Sequence, residues 1–123
     1  MPVTVGIDLT GVETIHDAVR AQGDRYLDRV YTPGERAECG GDPARLALRF
    51  AAKEATMKAI GRGDEPLPWS SIEVRAGSGR TPELTLHGPA RTLAHRRGVT
   101  ALSLALARTR TSACAIVLAG EAR

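Results

Sequence analysis

Apolar and polar positions divide the chain into short strands and amphipathic helices. Val3 to Leu9 is a brief apolar run with Asp8 near its end, the pattern of a strand. Thr10 stands three residues before Glu13. That is capping-box spacing, and it predicts a helix from about Gly11 to Ala21, stopped by Gly23. Asp24 to Val30 reads as a second short helix with Tyr26 and Val30 on one side. Thr32-Pro33-Gly34 reads as a turn, and Cys39 to Asp42, with its two glycines, as a loop.

Asp42-Pro43 is a strong helix start, an N-cap followed by proline at the first helical position. The helix should run to about Ile60, with Gly61 as its C-terminal cap. Leu46, Phe50, Met57 and Ile60 fall close to helical spacing. Residues 62–68 form a polar loop, and Trp69 beside it reads as a packing anchor. Ser71 to Arg75 and Glu83 to His87 are two short strands joined by a hairpin-like connection. Pro89 opens a helix to about Arg97, and Val99 to Ala107 and Ser112 to Leu118 are two last, mostly buried strands. Strand, helices, then strands with one more helix predicts an α+β fold in preference to a doubly wound one. It would be a single domain over residues 1–123, an antiparallel sheet packed on a long central helix and shorter helices.

Composition adds little to this. The 123 residues suffice for one core, and with aromatics at 3% that core must be built from Val, Leu, Ile and Ala. Arginines outnumber lysines fifteen to two, which reads as genomic base composition. The net charge of +3 is uneven: residues 91–123 hold six arginines and one glutamate. A basic end can attract nucleic acid, but stacking aromatics and any recognised nucleic-acid motif are missing, so no such partner is expected. Cys39 and Cys114 have neither metal nor redox spacing, and Cys114, in an apolar run, is expected to be a buried thiol. His16, His87 and His95 are scattered and read as surface or turn residues. With no leader pattern and no membrane-length apolar run, a cytoplasmic chain without membrane contact is expected.

The chemistry concentrates in residues 49–61, which read RFAAKEATMKAIG. On a helix, Arg45, Arg49 and Lys53 stack at steps of four into a basic stripe, and Glu54 and Lys58 share a neighbouring face. A solvated helix with one Glu-to-Lys pair has the same pattern. The functional alternative is a helix presenting a carboxylate and cations to a phosphorylated ligand. Asp8 alone could be a mere turn residue. With Glu54 it gives two carboxylates, the protein share of a magnesium site completed by phosphate and water.

Gly6-Ile7-Asp8 at a strand end and Arg49 to Lys58 on a helix together resemble the holo-acyl-carrier-protein synthase family, the short 4′-phosphopantetheinyl transferases. Looser matches are Gly79-Arg80-Thr81-Pro82 and the final Ser112 to Val117 strand. The resemblance implies transfer of phosphopantetheine from coenzyme A to a serine of an acyl carrier protein, with release of adenosine 3′,5′-bisphosphate. It implies Asp8 and Glu54 as magnesium ligands and Lys58 as a contact to the phosphates. Glu54, directly or through a metal-bound water, is the implied base. Arg49 and Lys53 match basic positions near the nucleotide, and Gly61, Gly79, Pro82 and Arg108 are further coenzyme-contact candidates. Arg25, Tyr26 and Arg29 resemble a run that meets the carrier protein. The family is typically a homotrimer with sites between protomers.

The chain departs from the family in two places. Gly11 and Thr14 stand where members carry Glu and Arg after the strand, and Ala105 to Arg108 replaces a hydroxyl-and-histidine stretch. The first change points to an unusual, dedicated carrier domain. Both together raise the alternative of an impaired relative that acts as a trimeric coenzyme-A-binding or interaction protein.

Overall fold

A computed structural model of the chain describes residues 2–61, 66–77 and 81–122. In order come β1 (Thr4–Gly11), α1 (Val12–Gln22), α2 (Asp24–Val30), α3 (Pro33–Cys39) and α4 (Pro43–Gly61). After a 3-10 turn at Trp69–Ser71 follow β2 (Ile72–Ala76), β3 (Pro82–Leu86), α5 (Gly88–Arg96), β4 (Ala101–Arg108) and β5 (Ser112–Gly120). β1, β5 and β4 form an antiparallel sheet in that order, and β2 pairs with β3 in a separate antiparallel hairpin. The class is α+β, as the order of apolar runs predicts. No helix among the described residues is long and apolar enough to cross a membrane.

The three-stranded sheet lies on α4, and small residues decide how closely. α4 buries Ala47, Ala51, Ala52, Ala55 and Ala59, while β5 turns Ala113, Ala115, Val117 and Ala119 inward. These short side chains let backbone approach backbone. At Gly6 a Cβ would stand 1.8 Å from the Ala55 carbonyl oxygen, so only glycine fits where β1 crosses the helix. The Thr4 hydroxyl donates to the Ala59 carbonyl at 2.7 Å and pins the crossing at its other end. Period-two alternation puts Gly6, Asp8 and Thr10 on the same face of β1, with Gly6 and Thr10 buried. Val3, Val5, Ile7 and Leu9 go to the outer face, where they stay exposed.

Several local expectations need correction. Thr10 does not cap α1. Gly11 occupies the N-cap without a side-chain bond, because β1 continues to Gly11 and the Thr10 hydroxyl is spent on Asp8. Thr32-Pro33-Gly34 is not a free turn but the start of α3. Thr32 and Glu35 form a reciprocal capping box there, with proline in the first turn. The pattern T-P-G-E carried that signal, and the Pro-Gly pair masked it. β4 is not mostly buried, since its positions alternate between exposed and half-buried. Cys39, not Cys114, is the buried thiol, and burial pushes its pKa up to about 11. Asp42 does start α4, its carboxylate accepting from the Ala44 amide at 2.9 Å. Of the expected core positions on α4, Leu46 and Ile60 are buried, whereas Phe50 and Met57 are half-buried. Phe50 stacks on Trp69, which is the anchor expected of that tryptophan.

Candidate active site

The crossing of β1 over α4 brings together Asp8, Glu54 and Lys58, from segments 46 residues or more apart in sequence. Asp8 lies opposite Ala115 in the sheet register and faces the helix. One carboxylate oxygen accepts from the Thr10 hydroxyl at 2.7 Å, and the other lies 3.4 Å from the Lys58 ammonium. Lys58 also donates to the Ile7 carbonyl at 3.0 Å, so its head is held at the strand edge while half its side chain remains exposed. Burial pushes the Glu54 carboxyl above the usual carboxylate range, and the neighbouring Asp8 charge pushes it further, with Lys58 only partly opposing.

Two carboxylates that repel each other, half-open to solvent and beside a cation, form an oxygen donor set for a hard divalent ion. Such an ion relieves the repulsion that raises Glu54. The site residues thus fit magnesium by charge and by ligand type. A second group of ligand-type atoms, on Glu13, His16 and Asp17, lies within 4.8 Å of one another. These residues share one helical face by their spacing, with both carboxylates at solvent-facing positions, as on any solvated helix.

The basic stripe on α4 separates into three different environments. Arg45 is exposed at 62% of its side chain, Arg49 at 14% and Lys53 not at all. Lys53 is a correction to the sequence reading. Its ammonium lies 2.8 Å from Glu35 and donates to the backbone carbonyls of Trp69 and Ile72, so it faces the interior of the chain and presents nothing to a nucleotide. The Glu35 carboxylate also accepts from the amides of Thr32, at 2.9 Å, and Val74, at 2.8 Å. Burial lowers the Lys53 pKa, against the pull of Glu35. Arg49 instead pairs with Glu38 at 3.0 Å.

Tyr26 is a second correction. Only 5% of it is exposed, and its hydroxyl lies 3.0 Å from that of Tyr31, which donates on to the Leu46 carbonyl. Burial raises its pKa, and the ring belongs to the core. Arg25 and Arg29, its neighbours on α2, are exposed.

Gly61 is the last residue of α4, not a cap beyond it; it is buried, and a Cβ there would press on Leu93 of α5 at 3.3 Å. Pro82 opens β3, Arg108 is exposed at the end of β4, and Gly79 lies outside the described residues. Gly11 and Thr14 meet at the start of α1, where a Cβ on Gly11 would stand 3.2 Å from the Thr14 hydroxyl. A cleft of about 740 Å³ opens elsewhere, between β3, α5 and the start of β4, and no predicted site residue lines it. Sequence reasoning missed Thr10 as the group that orients Asp8. It also missed Glu35 and Glu38, the partners of the two inner cations. Their spacing within α3 was the available signal.

Comparison with known proteins identifies the family. Residues 4–117 match the 4′-phosphopantetheinyl transferase superfamily. The holo-[acyl-carrier-protein] synthase of Desulforudis audaxviator is 38% identical over 122 residues, covering 97% of this chain and 93% of that one. The synthase structure from Neisseria meningitidis superposes with a TM-score of 0.85 at 28% identity, covering 96% of this chain and 98% of that one. A Helicobacter pylori holo-[acyl-carrier-protein] synthase in complex with coenzyme A gives 0.84 at 25% identity, covering 94% and 99%. On the match over nearly its whole length, this chain belongs to the 4′-phosphopantetheinyl transferase superfamily.

Proposed function

We propose that the chain transfers the 4′-phosphopantetheine arm of coenzyme A to a serine hydroxyl of an apo acyl carrier protein, releasing adenosine 3′,5′-bisphosphate. The observation that carries this reading is the meeting of Asp8, Glu54 and Lys58 where β1 crosses α4. Asp8 and Glu54 would hold magnesium, which supplies positive charge to the pyrophosphate oxygens. Lys58, tethered to the Ile7 carbonyl, offsets negative charge on the transferring and leaving phosphates. Glu54, directly or through a metal-bound water, would take the serine proton. The serine oxygen bonds to the β-phosphorus as the pyrophosphate bond breaks. Phosphoryl transfer of this kind asks for positioning and charge, with no nucleophile from the enzyme.

Arg49, Arg108, Gly79 and Pro82 are the residues we assign to the nucleotide. Lys53 supports α4 from inside and does not touch the ligand. Arg25 and Arg29, exposed on α2, face an acidic carrier surface. We further infer a cytoplasmic homotrimer. Val5, Ile7 and Leu9 on β1, with Ile116 and Leu118 on β5, are 39–73% exposed on one sheet face, and subunit packing would cover them. A neighbour would then bring its own Arg108 to the open side of the Asp8–Glu54 centre. Incubation with coenzyme A, magnesium and a panel of apo carrier proteins, followed by mass spectrometry, tests the reading. It predicts addition of one phosphopantetheine to at least one carrier. No addition to fatty-acid, polyketide or peptide-synthase carriers would contradict it.

A further inference from the structure

The two oxygens of Asp8 are held differently. Asp8 and Thr10 project from the same face of β1, opposite Ala115 and Ala113 of β5, both fully buried. The Thr10 hydroxyl donates to Asp8 Oδ2 at 2.7 Å. Lys58 lies farther from Oδ1, at 3.4 Å, and gives its shorter bond, 3.0 Å, to the Ile7 carbonyl. A hydroxyl has one proton to donate. Thr10 commits it to Asp8, although α1 starts at the next residue, Gly11, with no side-chain cap. A side-chain cap on a helix contributes about 1 kcal/mol.

The torsion that turns an aspartate carboxylate is broad, so an unsupported carboxylate samples many planes. Thr10 is buried, with 7% exposed, and its β-branched side chain is stiff at χ1. Its hydroxyl therefore fixes the plane of the Asp8 carboxylate and draws charge from Oδ2. Oδ1, on the side of Lys58, remains the stronger donor. Hard cations differ in what they ask of such a group. Calcium takes about six to eight oxygens and often both oxygens of one carboxylate, whereas magnesium demands a tight octahedron and keeps several waters.

We propose that Thr10 is a positioning residue that restricts Asp8 to one-oxygen coordination and thereby selects magnesium over calcium at the Asp8–Glu54 centre. The inference rests on the magnesium reading above and adds to it a residue that does not itself touch the metal. Groups that orient a metal ligand in this way typically contribute about 10- to 100-fold in affinity.

The test is metal binding to the protein without coenzyme. Manganese binding is followed through the relaxation of water protons, and displacement by magnesium and by calcium gives the two affinities. Thr10→Val keeps the shape of the side chain and removes the hydroxyl. It should weaken magnesium about tenfold and leave calcium unchanged or tighter, so the magnesium preference falls about tenfold or more. Thr10→Ser, which restores the hydroxyl, should restore most of the preference. Thr10→Ala makes the same comparison if the valine variant fails to fold. Equal weakening of both metals is the mark of a merely structural role and would overturn the proposal. So would a preference that does not move, or a serine variant that behaves like the valine one.

Asp8→Ala separates the proposal from the reading beneath it. If Asp8→Ala loses magnesium while Thr10→Val keeps the wild-type preference, the metal site stands and the role of Thr10 is refuted. If Asp8→Ala binds magnesium as the wild type does, the site and the proposal fall together.

Discussion

Three carboxylates and two lysines make up two centres of opposite kind, and burial decides which is which. Glu54 and Asp8 repel each other at a half-open edge, and Lys58 only partly offsets that repulsion. The Glu54 pKa is raised in the folded chain above 4.5, so the folded state binds the extra proton. Metal-free stability should therefore fall as pH rises from the ordinary glutamate value through the raised one, and magnesium should reverse that fall. Magnesium binding should also release protons in this window, visible as a buffer-dependent heat in titration calorimetry. Binding heat that does not depend on buffer would count against Glu54 as a ligand. Lys53 and Glu35, in contrast, are a closed pair with no exposed surface. Lys53→Met should cost about 3–5 kcal/mol of stability by stranding the Glu35 charge, read by denaturant unfolding. A loss of coenzyme affinity at unchanged stability would instead return Lys53 to the ligand. The sequence shows a lysine at helical spacing from two arginines. Which of the three is buried depends on Glu35 and the Trp69–Ile72 backbone, which approach only in three dimensions.

At the scale of elements, the long helix and the strand order were legible because their signals are local. Asp42-Pro43 starts α4 where the cap chemistry predicts, and period-two and helical spacing identify most of the rest. The boundaries that differ are those where two local signals competed. Thr10 could cap a helix or extend a strand, and Asp8 claims its hydroxyl. Pro33-Gly34 could turn or open a helix, and Glu35 settles it through Thr32. The site was legible because its residue pattern matches a family signature. What brings its residues together is a contact no pattern reports, the glycine-on-alanine approach of β1 to α4. Gly6→Ala should destabilise the chain by about 3 kcal/mol, since its Cβ meets backbone that cannot move aside. It should also weaken metal binding in whatever fraction remains folded. A fully stable Gly6→Ala variant with normal magnesium affinity would show that the close crossing does not set the site.

For the whole molecule, the sheet has one face packed on α4 and one apolar face open to solvent. Val5→Lys places a charge on that outer face, away from Asp8, and should shift the sedimenting species from trimer toward monomer while leaving the fold intact. If the wild-type chain sediments as a monomer, the open face needs another explanation and the site must be complete within one chain. The central claim concerns the carboxylate pair itself. The most direct test is the rate of phosphopantetheine transfer against magnesium concentration for the wild type, Asp8→Ala and Glu54→Ala. Chelation should abolish wild-type transfer and magnesium restore it, while each variant falls by about 100-fold or more and fails to recover. Magnesium-stimulated transfer at the wild-type rate in Glu54→Ala would contradict the account.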